Sequence, residues 1–242
     1  MRVYNVCMDK PTPQLKRQVS SLIKKLIEFY PVFRPKPKRD PLDELVLTIL
    51  SQNTNDNNSL EAFTRLKKRY KSWEEVVSSK RKDVEATLSI AGLAPTKTGY
   101  ILDFLNTLAD ENIAKKRLKK GSPYHLDFIR KMNLEDALTY LTSFKGVGQK
   151  TAACVLAFSC GMPSFPVDTH IFRILKRQGI VPQNMTAENA HHLMYQLTNP
   201  DDRYRFHINL IHYGREVCHA RNPECAKCVI RKTCVYLKNP VN

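Results

Sequence analysis

Apolar residues recur three and four positions apart along most of this chain, and the strict alternation of a half-buried strand is scarce. "DPLDELVLTILSQNT", residues 40–54, is the clearest stretch: Leu42, Leu45, Val46, Ile49 and Leu50 fall on one helical face. Asp40 is placed to cap that helix. Pro41 suits its first position, where a missing N–H costs nothing. The polar run "SQNTNDNNS" interrupts the pattern, which resumes through "LEAFTRLKKRYKSWEEVV". Further helices are expected over 82–90, 97–108, 126–131, 134–143, 149–158, 169–178, 187–197 and 203–217, with another near the N-terminus. Gly92, Gly146 and Gly179 mark breaks, and Gly161-Met162-Pro163 is a stop. The spacing predicts an all-α protein of many short helices.

Charge changes the picture more than composition does. Thirty-nine Lys and Arg against 23 Asp and Glu give a net charge of +16 over 242 residues. An excess that large gathers polyanions, and nucleic acid fits better than a membrane surface because no long basic amphipathic helix stands out. The longest largely apolar stretch, 152–162, is too short to span a bilayer. "MRVYNVCMDKPTPQ" lacks the apolar centre of a secretion signal, so an intracellular, soluble protein is expected, in the cytoplasm or nucleoid if prokaryotic. "RPKPKRDP", 34–41, reads as an exposed basic linker. "ENIAKKRLKKGSPYH", 111–125, reads as a basic helix end and loop, either merely solvated or touching phosphate.

Of seven cysteines, an odd number, four crowd into the last 25 residues. Cys218, Cys225, Cys228 and Cys234 follow the spacing C-x6-C-x2-C-x5-C. Four thiolates so close suit structural zinc or an iron–sulfur cluster. Only Cys225 and Cys228 form a zinc-like knuckle, so the uneven spacing favours a loop wrapped around a cube. His219, Arg221, Lys227, Arg231 and Lys232 interleave with the ligands, as counter-charge or to meet a phosphodiester backbone. Cys7, Cys154 and Cys160 are expected to be dispensable for metal, and the last two read as small buried hydrophobes.

"SFKGVGQKTAACV", 143–155, poses a question: Lys150 would stand at the positive end of a helix dipole, where a cation is disfavoured. "FKGVGQKTA" resembles the helix–hairpin–helix of the endonuclease III-like DNA glycosylases, and "FPVDTHIFRILKR" resembles the segment carrying their catalytic aspartate. The cysteine spacing is similar to their four-iron, four-sulfur (4Fe-4S) loop. With "LTILSQNTND" and "IAGLAPTKTGYI" the resemblance covers about residues 40–236. The hairpin departs from the family's usual Leu-Pro start, reading Phe144-Lys145. The longer stretch before it is similar to a branch that includes the plant 5-methylcytosine glycosylases.

The resemblance implies two α-helical lobes with DNA in the cleft between them: a six-helix barrel lobe over 40–150, and a discontinuous lobe of 1–39 and 151–242 holding the cluster in 218–234. It implies excision of a damaged base and cleavage of the abasic strand, by a monomer acting on double-stranded DNA that contains a damaged base or abasic site. Lys150 takes the place of the nucleophile. A lysine at a helix start, near other cations and partly desolvated, has its charged form disfavoured and its pKa lowered. Asp168 takes the place of the carboxylate that stabilises the sugar cation, and is equally an N-cap candidate. The amides around Gly146, Val147 and Gly148 would bind a phosphate with Lys145 beside them, although a tight turn alone also needs glycine. Gln52 and Leu93 resemble residues that fill the gap of an everted nucleotide, with a core leucine as the plain alternative for Leu93. Lys227 and Arg231 would meet the backbone. Asn53, Asn55, Asp56 and His170 are candidates for the base pocket, against ordinary capping and turn roles.

Four functions follow from these residues: a bifunctional glycosylase and abasic-site lyase; a lyase for pre-formed abasic sites; a non-catalytic damage-binding protein; and a zinc-dependent DNA-binding module. Lys150 together with Asp168 speaks against a pure binder. Oxidised pyrimidine is the family's default base, with mismatched uracil or thymine, or methylated cytosine, as alternatives.

Overall fold

Thr12 opens the first helix, its hydroxyl accepting the Leu15 N–H at 3.2 Å with Pro13 in the first position. A computed structural model describes residues 10–33, 35 and 38–238. In chain order the helices are α1 Pro13–Phe29, α2 Pro41–Leu50, α3 Asp56–Arg69, α4 Trp73–Ser78, α5 Arg81–Leu88 and α6 Ala94–Ala114. There follow α7 Leu134–Thr142, α8 Gln149–Phe158, α9 Thr169–Arg177, α10 Ala187–Leu197, α11 Pro200–Glu216 and α12 Val235–Lys238. Among the described residues there is no strand, only an isolated bridge between Lys119 and Ser122. The all-α expectation holds.

The chain divides into two units, one of Lys36–Met162 and a discontinuous one of Met1–Pro35 with Pro163–Asn242. In the first, α2 packs against α8, α3 and α6, while α7 lies against α8. The face expected from sequence is the one buried: Leu42, Leu45, Val46, Ile49 and Leu50 have no more than 1% of their surface exposed. Asp40 Oδ1 accepts the Leu42 N–H at 2.9 Å, so the expected cap is made. In the discontinuous unit α9 packs on α11, and α1 on α11 and α10. Leu22, Leu26, Ile171, Ile174, Leu210 and Tyr213 belong to its core.

Three helical expectations need correction. The stretch after Leu60 is not continuous, because Ser72 caps a separate α4 by accepting the Glu75 N–H at 3.3 Å. Residues 127–131 form a 3₁₀ turn rather than an α-helix. Helix α6 begins at Ala94, with Pro95 in its first turn, and runs to Ala114. The basic run beyond it is partly tied down. The Asn112 amide donates to Pro123 O at 2.6 Å and His125 O at 3.0 Å. The Arg117 guanidinium sits 3.7 Å from the centre of the Phe128 ring, and Lys119 Nζ lies 2.5 Å from Asp127 Oδ2. Three residues of the basic linker, 34, 36 and 37, lie outside the described residues.

Candidate active site and cysteine loop

Between α7 and α8 the chain turns back through Phe144–Gly148, closed by the Val147 N–H donating to Phe144 O at 3.1 Å. Gly146 has φ +84° and lies under the Tyr100 ring, where a Cβ would come 2.3 Å from Tyr100 Cδ2. Both the left-handed backbone and the ring demand glycine. Gly148 differs: it is the N-cap of α8 at φ −87°, with open space where a Cβ would go. Gly148 has no side chain with which to cap α8, which suits the start of that helix to an anion. Lys145 and Gly148 are exposed, Gly146 is half-buried, and buried Val147 anchors the turn. Gly146→Ala is therefore expected to cost about 1–2 kcal/mol in backbone strain alone. A drop of several degrees in Tm should follow, with weaker DNA binding, while Gly148→Ala leaves Tm nearly unchanged; paired thermal melts check this.

Lys150 stands half-buried in the first turn of α8. Beside it, the Gln52 amide donates to Gly146 O at 2.8 Å and to Thr151 Oγ1 at 3.3 Å. Gln52 thus ties the turn after α2 to both sides of the hairpin. Asn53, exposed, has φ +53°. Asn55 caps α3, its Oδ1 accepting the Asn58 N–H at 2.8 Å, and Asp56 is exposed in the first turn of that helix. Leu93 is not a core leucine. It is 57% exposed with φ +49°, at the N-cap of α6. Residues other than glycine hold such backbone only where the surroundings impose it, and sites of function collect them.

Asp168 lies on the discontinuous unit and caps α9, its Oδ1 accepting the Ile171 N–H at 2.8 Å. His170 Nδ1 is 3.2 Å from Arg173 Nη2, and its Cβ would be 2.8 Å from a Cβ added at Gly214. Arg173 and Arg177 escaped the reading of the sequence, hidden among 39 basic residues. Arg173 donates through Nε and Nη2 to Cys218 O at 3.0 and 2.8 Å, and burial holds its pKa below the usual range. Arg177 donates to Cys218 Sγ at 3.3 Å, His219 O at 2.6 Å and Ala220 O at 3.0 Å. Helix α9 therefore carries Asp168 at its start and grips the cysteine loop farther along.

Cys218, Cys225, Cys228 and Cys234 line one cavity together with Arg177, Ile230 and Tyr236. An all-thiol donor set around one space fits an iron–sulfur centre. Among the described residues no three His, Cys, Asp or Glu side chains are grouped so as to hold a single metal ion. Cys154 and Cys160 belong to the other unit, and burial pushes the Cys160 thiol up to about 11. Cys7 lies outside the described residues. Lys227 Nζ is paired with Glu224 Oε2 at 2.5 Å, whereas Arg231 is exposed.

A family model for the HhH-GPD superfamily of base excision DNA repair proteins matches residues 46–200. A putative DNA glycosylase of Arabidopsis thaliana is 38% identical over 71% of the chain, which spans 55% of that relative's length. Endonuclease III of Sulfolobus acidocaldarius is 29% identical, over 82% of this chain and 83% of its own. A trapped endonuclease III–DNA covalent intermediate superposes with a TM-score of 0.76 at 22% identity, covering 92% of this chain and 97% of that one. At that identity the superposition shows the fold.

Proposed function

We propose, for a chain that belongs to the HhH-GPD superfamily of base excision DNA repair proteins, that it is a bifunctional DNA glycosylase with abasic-site lyase activity. The observation that carries this reading is Lys150, half-buried in the first turn of the helix that leaves the hairpin. The dipole of α8 disfavours a cation at that position, and an amine that reacts as a nucleophile has a use for it. Endonuclease III relatives covering most of the chain support it.

The chemistry assigned to these residues balances. The Lys150 amine attacks C1′ of the deoxyribose, the bond to the base breaks, and the base leaves with a proton. The sugar ring opens to an imine between Lys150 and C1′. Loss of a C2′ proton then expels the 3′ phosphate, breaking the strand, and water releases the amine. Asp168 stabilises the positive sugar during base loss. The amides after Gly146, with Lys145, hold a phosphate of the same strand. Leu93 and Gln52 occupy the gap opened by eversion, and Asn53, Asn55, Asp56 and His170 are proposed to face the base. Lys227 and Arg231 are proposed as backbone contacts.

Cys218, Cys225, Cys228 and Cys234 would hold a 4Fe-4S cluster, which when bound supplies a covalent brace for the loop. All four thiolates would serve as its ligands, a set of the kind such clusters take. Replacing Cys228 by Ser is expected to strip iron and the broad visible absorption near ~400 nm from purified protein, while Cys160→Ser keeps both. Full iron retention in the Cys228 variant would end the assignment.

Single-lesion duplexes test the reading as a whole: oxidised pyrimidine, mismatched uracil and thymine, 5-methylcytosine, and a bare abasic site. Base release with strand cleavage on at least one lesion is expected, oxidised pyrimidine first. Cleavage only of the bare abasic site would reduce the protein to a lyase. Binding without cleavage of any substrate would overturn the reading.

A further inference from the structure

Lys97 is 2% exposed, in a helix that also buries Thr98, Ile101, Phe104, Leu105 and Leu108. Packing alone would favour an apolar residue there, because burying an ammonium is costly unless its donors are used. Two of them are used on backbone: Lys97 Nζ donates to Leu50 O at 2.7 Å and to Ala91 O at 2.8 Å. Burial lowers its pKa.

The two acceptors are not random carbonyls. Leu50 is the last residue of α2, where the final carbonyls lack partners within the helix and carry the negative end of its dipole. Ala91 is the last residue of the 3₁₀ turn Ser89–Ala91. Just beyond Leu50 come Gln52 and Asn53, the latter at φ +53°. Just beyond Ala91 come Gly92 at φ +68° and Leu93 at φ +49°. One ammonium thus joins the roots of two turns, each containing a left-handed non-glycine residue. Such backbone persists only where its surroundings over-determine it.

We propose that Lys97 is a positioning residue for nucleotide eversion, holding the Gln52 and Leu93 turns in register so that Leu93 enters the vacated gap from a turn already in place. The proposal rests on the reading above, in which Leu93 fills that gap. A side chain ordered beforehand loses less entropy on insertion, so the benefit falls on eversion and leaves phosphate contact alone.

The test is a mutant cycle read without catalysis. Lys97→Met, Leu93→Ala and the double variant are compared by thermal melting and by affinity for undamaged duplex. They are also compared on duplex holding a tetrahydrofuran abasic analogue opposite 2-aminopurine, whose fluorescence rises on unstacking. Lys97→Met is expected to keep affinity for undamaged DNA within about threefold, and each single variant to lose about tenfold or more of its preference for the abasic analogue. The fluorescence rise should fall with it. The double variant should be no worse than the poorer single, since both act through one side chain. Lys97→Arg, which keeps the charge and donors for carbonyls, should restore most of the signal. If Lys97→Met does not fold, Lys97→Gln takes its place in the cycle.

Equal losses on damaged and undamaged duplex would make Lys97 a structural residue only and overturn the proposal, as would additive losses in the double variant. An unchanged signal in Leu93→Ala would overturn both the gap-filling role of Leu93 and this proposal. The glycosylase reading is judged separately, by strand cleavage with the wild-type protein.

Discussion

Lys150→Gln is expected to abolish covalent trapping of abasic DNA by borohydride and, with it, strand cleavage. Borohydride reduces the imine between an amine and C1′ to a stable bond, so trapping reports the nucleophile directly. Glutamine is a good helix former of similar reach, and the first turn of α8 should persist. Its amide nitrogen does not attack carbon, so the loss should be complete. Affinity for abasic duplex should fall by much less than tenfold, since one cation among several phosphate contacts is removed. The control is Lys145→Gln, in the same hairpin but on an exposed residue, which should still trap. Gel separation of the protein–DNA adduct measures both. If Lys150→Gln traps and Lys145→Gln does not, the nucleophile is Lys145, and Lys150 is at most a phosphate contact.

Much of the helical order was legible because the ends of helices are written locally. Helices α8 and α10 run over the residues expected from periodicity, 149–158 and 187–197, since Gly148 and Thr186 mark the starts. Asp40 and Pro41 did the same for α2. Ser72 was the cue overlooked between α3 and α4: the apolar pattern runs through it, but its hydroxyl begins a new helix. Helix α6 starts earlier than periodicity suggests, at Ala94, because Pro95 fits its first turn.

The site divides along the same line. Lys150 and Asp168 sit in short motifs, so resemblance nominates them without any knowledge of packing. Lys97 could not be found that way. Within "APTKTGY" it looks like any surface lysine, and its acceptor Leu50 O is 47 positions back along the chain. Arg173 and Arg177 are the same case, since the carbonyls they grip at Cys218, His219 and Ala220 are over forty residues away. Tyr100 over Gly146 is another, and there the sequence offered the glycine but not the ring that requires it. Charge and capping are local signals, whereas the partner of a buried cation is a property of the packed fold.

Asp168→Asn is expected to separate the helix cap that Asp168 makes from the catalytic role proposed for it. Asp168 Oδ1 accepts the Ile171 N–H at 2.8 Å, and an asparagine oxygen caps a helix about as well, so Tm should not move measurably. The charge is lost, however, and base excision is expected to slow by about 10²–10³-fold, the usual cost of removing one group that stabilises a charged transition state. Asp168→Ala removes charge and cap together. It should match Asn in excision rate but cost about 1 kcal/mol in stability, a few degrees in Tm. Borohydride trapping on pre-formed abasic DNA should suffer less than base excision in both variants, because no glycosidic bond remains to be broken. Single-turnover excision rates and thermal melts on the three proteins measure these differences. If Asn excises at nearly the wild-type rate and only Ala is impaired, then Asp168 holds α9 in place without stabilising the sugar. Loss in Asn at unchanged Tm points to the carboxylate itself, its charge and its second acceptor oxygen, because that variant keeps the size, the cap and the helix.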